Sequence, residues 1–500
     1  MQPAHPGPAA RPSHLLGYLL HILTTLILAT AVLCLSIAPV KSEDKQKKRS
    51  VPNVVFILAD DLGYGDLGCY GQEKIQTPCI DRMAEEGMKF TDCYAGSTVC
   101  APSRCSLMTG LHCGHALVRG NARVPLRPED VTVAEILKTA GYTTAIFGKW
   151  GLGEAGSTGT PNRQGFDHWF GYLNQRHAHN YYPAYLWRNE EKFPLRNEVV
   201  QKIGGHDFSP GGVASKKVDY SHDLFAKTAL DFLDEHGKER FFLYLPFTIP
   251  HANNEAGLVK ELRTPQGGME VPDLGEYAQR DWPGPQKGHA AMISRLDRDV
   301  CRIFDKLKQL GIDENTLVIF SSDNGTHHEG GARPEFFNSS GQLRGCKRSL
   351  HDGGIRVPMI ARWPGHIKAG TTSDLPCAFC DFLPTMADLA GLKEPEHTDG
   401  ISIVPTLLGK AGQRHHEFLY WEFHEGSGSS QAVRMGRWKA VRKRIGKQLE
   451  LYDLETDIGE QNNVADKHPD IVAKIEAYLK TARTPSKDWP LRKWKPRKKK

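Results

Sequence analysis

An α/β fold is predicted, with a large, mostly parallel mixed sheet flanked by helices and a smaller C-terminal antiparallel sheet with one helix. Three observations predict it. Four short apolar runs, rich in β-branched and aromatic residues, read as buried strands: "NVVFILADD" (53–61), "YTTAIFGKW" (142–150), "RFFLYLPFTIPH" (240–251) and "TLVIFSSDNG" (316–325). Helical patterns alternate with them, as a parallel sheet with crossover helices requires. From about Gln413 the chain changes to short strands and turns.

Each element has a local reason. In "TVAEILKTAGY", Thr132 stands as N-cap, Glu135 completes a capping box and Gly141 ends the helix. "HAAMISRLDRDVCRIFDKLKQLG" repeats apolar residues at helical spacing and stops at Gly311. After Gln413, "HEFLYWEF", "SQAVRMGRWKAVRK" and "QLELYDLETDIGEQNNVA" suit short antiparallel strands, followed by a helix from about Pro469 to Thr484.

The ends differ from this body. Leu15 to Pro39 contains no Asp, Glu, Lys or Arg. Its length suits a membrane anchor, while its position and the small residues of "SIA" and "VKS" suit a cleaved signal. Residues 1–42 are therefore read as signal peptide or anchor, 43–50 as a charged linker, 51–412 as the main domain, 413–485 as a C-terminal subdomain and 486–500 as a basic tail. The protein is expected to be exported, periplasmic or extracellular, meeting a membrane only through the N-terminal segment if that is retained. Part of the net charge of +6 lies in the linker and tail, which read as solvated or as weakly drawn to anionic surfaces. No nucleic-acid partner is expected. Of the 11 cysteines, six fall between Cys69 and Cys113, and their spacing fixes no connectivity; Cys377 and Cys380 read as buried thiols.

In open α/β sheets, ligands sit beyond the carboxyl ends of the strands. That rule brings Asp60, Asp61, Lys149, His251, Asp323 and Asn324 to one edge. Asp60, Asp61, Asp323 and Asn324 are oxygen ligands, which suit a hard ion such as Ca²⁺. Lys149, Arg104 and Lys347 add fixed positive charge and His251 an imidazole. A metal beside clustered cations suits an anion with several oxygens, sulfate or phosphate. Pro102 fits a first helical turn, which sets Cys100 just before a helix N-terminus, where a low-pKa thiolate is expected. A thiolate is a poor match for a sulfate ester beside an oxygen-loving metal.

"CAPSR" at 100–104 followed by "MTG" at 108–110 resembles the signature of the type I, formylglycine-dependent, arylsulfatase-like sulfatases of the alkaline phosphatase superfamily. "LADDLGYGDLGCYG", "GYTTAIFGKW", "IPH", "SSDNG" and "LRGCKRSLHDGGIRVP" extend the resemblance over roughly residues 51–480. It implies a sulfuric ester hydrolase whose catalytic domain is 51–412. Cys100 would be converted by a maturation enzyme to formylglycine, whose hydrated form is held on one Ca²⁺ by Asp60, Asp61, Asp323 and Asn324. One hydroxyl would attack sulfur, and His251 would protonate the leaving alcohol. Lys347 would bridge sulfate and leaving group, with Arg104 and Lys149 orienting the charge. The substrate implied is an organic sulfate, a sulfated carbohydrate. The competing readings are a phosphate or phosphonate ester hydrolase of the same superfamily and a non-catalytic binder of sulfated glycans.

One departure stands out. The family typically has a histidine two residues after the lysine of "GKW", where this chain has Gly151. Either another histidine reaches the spot, with His115, His177 and His179 as candidates, or water serves the step. The stretch "FGYLNQRHAHNYYPAYLWRN" (170–189) reads as a loop, suited either to stacking on a sugar ring or to forming a satellite core.

Overall fold

The computed structural model describes residues 51–393, 395–426 and 428–493, together with Pro3 and Gly7. The export segment, the charged linker and the last residues of the basic tail lie outside the described residues. Among the described residues, no helix is long and apolar enough to cross a membrane.

The central sheet has ten strands. In chain order they are β1 (Asn53–Ala59), β2 (Met88–Phe90), β3 (Thr143–Lys149), β4 (His168–Tyr172), β5 (Tyr185–Arg188), β6 (Glu191–Pro194), β7 (Phe241–Pro246), β8 (Thr316–Ser322), β9 (Met359–Arg362) and β10 (Thr371–Ser373). Their spatial order is β10-β2-β9-β8-β1-β7-β3-β4-β5-β6. The run β8-β1-β7-β3-β4 is parallel throughout, and antiparallel pairs join β9 to β8 and β5 to β4. The fold is thus an α/β fold with a mixed, mostly parallel sheet.

All of β1 is buried, as expected for a strand covered on both faces. Val55, Ile57 and Ala59 point into one core, while Val54, Phe56 and Leu58 point into the other. The first core is closed by α1 (Pro78–Glu85), α4 (Ser221–His236) and α5 (Gly284–Gln309). A Cys79–Cys301 disulfide ties α1 to α5, with α-carbons 5.4 Å apart. The second core is closed by α2 (Cys100–Thr109), α3 (Val133–Thr139) and α6 (Phe382–Leu389). Helix α3 begins with the expected capping box: Glu135 N donates to Thr132 Oγ1, and Thr132 N donates to Glu135 Oε2 at 2.7 Å.

The small sheet is an antiparallel meander of β11 (Leu419–Phe423), β12 (Ser430–Met435), β13 (Trp438–Arg442) and β14 (Glu450–Asp453). Helix α7 (Pro469–Leu479) follows it and stops short of Thr484. Its core takes in Tyr94, Val99 and Cys113 from the main body, and Trp421 Nε1 donates to Ala95 O at 2.9 Å. This sheet therefore braces the segment that leads into α2.

The stretch 170–189 is not a free loop. It comprises the end of β4, a helical turn at Gln175–Ala178 and β5, and Phe170, Tyr172, Tyr181 and Tyr182 pack in the first core. Apolar burial outweighs the loop-like composition, while Arg176 in the turn and Arg188 and Asn189 at the end of β5 remain exposed.

Candidate active site

Strands β1 and β8 pair in unbroken parallel register, from Asn53 opposite Thr316 to Ala59 opposite Ser322. Asp323 N extends the ladder to Ala59 O at 3.0 Å. Asp60 and Asp61 therefore emerge beside Asp323 and Asn324. On the other side of β1, Asp60 N donates to Ile249 O, drawing in the loop that carries His251. Asp61 adopts φ of +65°, a costly conformation for a residue with a side chain. It is held there by Asn324 Nδ2 and Lys347 Nζ, each donating at 2.7 Å, and by its own N–H to Asp323 Oδ1.

Cations surround these acids. Lys149 Nζ donates to Asp60 Oδ2 at 2.6 Å, and Arg104 Nε donates to Asp323 Oδ2 at 2.9 Å. Arg104 also lies 3.4 Å from Asp60. Burial alone would raise the Asp60 carboxyl, yet Lys149, His251, Arg104 and Lys347 together hold it well below the usual range. Asp323 moves the other way, to about 7, because burial and the charge of Asp60 exceed the help from Arg104.

The site fits a hard cation. Three carboxylates and one amide converge, and Asn324 Oδ1 is buried without a hydrogen-bond partner, an acceptor left open toward such an ion.

Helix α2 starts at Cys100 itself, with Val99 as its N-cap, one residue earlier than the sequence implied. Cys100 is 2% exposed, and its thiol donates to Asp60 Oδ1 at 3.2 Å. Burial and the Asp60 charge push the thiol far up, so it is no thiolate. The sequence expectation is corrected here: the helix terminus cannot overcome desolvation beside a carboxylate.

His251 receives Lys347 Nζ at 3.1 Å from Nε2, while its Nδ1 lies 2.7 Å from Ala252 O. Burial and Lys347 push the imidazole down to about 3. Lys347 also donates to Glu329 Oε2 at 3.0 Å. Sequence reasoning passed over Glu329, although "SSDNGTHHEG" carries it six positions from Asp323 along one loop.

A cavity of about 280 Å³ opens on this cluster, lined by Cys100, Lys149, His251 and Lys347 and by the turn residues Asn174, Gln175, Arg176 and His179. Of the histidines considered for the place at Gly151, only His179 reaches it. Its ring stacks on His251 at 5.1 Å, and its Nδ1 lies 3.0 Å from Glu255. His115 instead pairs with Asp399 at 2.8 Å and stacks on His112. His177 is buried against Tyr172 and Tyr185. Neither lines the cavity. What stands over Gly151 is Gln175: a Cβ there would lie 2.5 Å from its Nε2. The sequence offered no sign of it beyond the polar run of the turn.

Oxygen donors ringed by cations, at the carboxyl edge of a parallel sheet, define an enzyme for a multi-oxygen anion. The family model described as Sulfatase matches residues 52–392, and the chain belongs to the sulfatase family, within the alkaline phosphatase-like superfamily. A second model, N-sulphoglucosamine sulphohydrolase, C-terminal, matches residues 345–485. The chain is 34% identical to human arylsulfatase A over 78% of its own length and 74% of that protein. It is 29% identical to an N-acetylgalactosamine-6-O-sulfatase of Bacteroides thetaiotaomicron over 88% and 95% respectively. The crystal structure of Ps i-CgsB in complex with k-i-k-neocarrahexaose superposes with a TM-score of 0.70 at 27% identity, covering 86% of this chain and 92% of that one. The protein is a sulfatase enzyme.

Proposed function

We propose that this sulfatase removes sulfate from a sulfated carbohydrate, using a formylglycine made from Cys100 and one Ca²⁺ held by Asp60, Asp61, Asp323 and Asn324. The observation that carries the reading is the convergence of these oxygen donors with Cys100 in a cation-lined cavity. When bound, the ion supplies charge neutralisation and the formylglycine an oxygen nucleophile. Lys149, Arg104 and Lys347 draw the sulfate group into the cavity and spread its charge. His251 presents Nε2 beside Lys347 and is assigned the proton that the leaving alcohol takes up. Its low pKa belongs to the site without an anion; sulfate beside the imidazole works in the opposite direction.

The carbohydrate assignment is supported by the similarity to an N-acetylgalactosamine-6-O-sulfatase and to Ps i-CgsB in complex with k-i-k-neocarrahexaose. Export through the segment at Leu15–Pro39 is supported by the Cys79–Cys301 disulfide, since such bonds persist in oxidising compartments. A maturation enzyme would have to reach Cys100 before folding buries it.

Intact mass tests the reading. Protein produced beside a formylglycine-generating enzyme should be lighter by about 18 Da, a change outside the ordinary sulfur oxidation series. It should release sulfate from sulfated mono- or disaccharides, lose that activity to a calcium chelator and regain it with Ca²⁺. An unchanged mass, or activity indifferent to chelation, would overturn it.

A further inference from the structure

Beyond β3, the chain runs beside the end of β4: Trp150 N donates to Tyr172 O at 2.9 Å, and Gly151 N to Leu173 O at 3.0 Å. This places Gly151 beneath the turn Gln175–Ala178. Asn174 secures the turn from both sides, accepting from His177 N at 3.0 Å and donating to Glu154 Oε2 at 3.1 Å. At Gly151 φ is +91°, where a side chain is disfavoured. Even without that strain, a Cβ would fall 2.5 Å from Gln175 Nε2 and 2.7 Å from its Oε1. The Gln175 carboxamide therefore fills the space that a side chain at residue 151 would take.

That amide is unfinished. Both Nε2 and Oε1 are shut off from solvent, and neither has a hydrogen-bond partner. A buried primary amide with no partner is costly, and native structures rarely keep one without a use for it. Gln175 and Gly151 line the same cavity as Cys100, Lys149, His251 and Lys347. Gly151 also lies two residues from Lys149, whose Nζ holds the Asp60 carboxylate that Cys100 contacts.

We propose that Gln175 contacts the substrate, its carboxamide turning from its closed place over Gly151 so that Nε2 donates to an oxygen of the sulfate group bound in the cavity. The inference rests on the reading of this cavity as the sulfate ester site. The consequence is chemical. A carboxamide donates and accepts hydrogen bonds but carries no proton to trade near neutral pH. The site thus has a fixed polar contact where an imidazole would bring an ionisation.

The test uses the full chain with Cys100 unconverted, in calcium-containing buffer, and inorganic sulfate as the probe in calorimetry. Gln175→Met keeps the length of the side chain and removes both polar atoms; Gln175→Ala is the second variant, with thermal unfolding as the check on folding. Sulfate binding should weaken roughly 10-fold in each variant, the effect of losing a hydrogen bond to an anion, while the melting temperature holds or rises. Gln175→Glu should bind worse still at pH 7 and recover part of the loss as the pH is lowered. In the converted enzyme, Gln175→Met should lower kcat/KM by a similar factor. Sulfate binding within twofold of the parent in a folded Gln175→Met protein would overturn the inference, as would a parent that binds no sulfate. Failure of the sulfatase mechanism shows itself differently, as intact sulfate binding without ester cleavage by the converted protein.

Discussion

Among the described residues, two of the buried clusters of charge stand in contrast, and one of them opens on the cavity. At the ends of β1 and β8, Asp60, Asp61 and Asp323 meet Arg104, Lys149 and Lys347. At the seam with the small sheet, Asp352 accepts from Lys439 and from Tyr94 at 2.8 Å, while Arg434 bonds Asp92 and Arg356 pairs with both Asp92 and Asp352. Asp352 and Lys439 are both fully buried. The composition is alike in the two places, and in each one carboxyl, Asp60 or Asp352, is held below its usual range by neighbouring cations. The strand-end cluster opens on a cavity and leaves Asn324 Oδ1 and the Gln175 amide unpartnered. At the seam, Asp92 and Asp352 are each ion-paired with two cations. Buried charge alone therefore does not set the proposed site apart; the cavity that opens on it does.

The largest effect should separate the two clusters completely. Cys100→Ala should cut sulfate release by on the order of 10⁴-fold or more, as loss of a covalent nucleophile does, with the unfolding midpoint little changed. The seam should answer in the opposite sense. Lys439→Met strands Asp352 without its closest cation and should cost about 3–5 kcal/mol in urea unfolding, while the folded fraction keeps its kcat/KM. A seam variant that lost activity without losing stability would break the contrast.

Lys347→Ala should lower kcat/KM by about 10²–10³-fold, the usual scale for removing one preorganised electrostatic contact. The smallest effect concerns pH. Glu422 accepts from Arg483 Nε at 2.7 Å and Arg119 at 3.1 Å and lies 2.9 Å from His424 Nε2. Burial would raise this carboxyl, but His424 and Arg483 outweigh it and draw it from 4.5 to about 2. A depressed folded value gives stability that is complete above about pH 4.5 and is lost as the pH falls toward 2. The loss should amount to roughly 3 kcal/mol, read as a falling urea midpoint, and Glu422→Gln should remove that part of the pH dependence.

Much of this was legible in sequence for a physical reason. Strand ends in a parallel sheet share an edge, so Asp60, Asp61, Asp323 and Asn324 declare themselves by following apolar runs. Thr132 and Glu135 declare a helix start by their spacing alone. Gln175 was not legible, because nothing in "NQRHAHN" tells which polar residue turns inward; the histidines drew attention, yet His177 went to the core and His115 to Asp399. The Cys100 thiol was misjudged because burial is a tertiary property that helix position does not report. The disulfide partner of Cys79 sits 222 residues away on α5, a separation no spacing rule spans.

The unbroken register of β1 with β8 has a further consequence. The four oxygen donors are placed by a ladder of backbone hydrogen bonds, so the arrangement behaves as a ruler with one-residue graduations. Deleting a single residue within either strand would turn its terminal pair to the opposite face of the sheet. The same deletion in the long crossovers between them would leave the alignment intact, since loop length costs little. Natural variation around this fold should therefore gather in the crossovers and stop at the two strands.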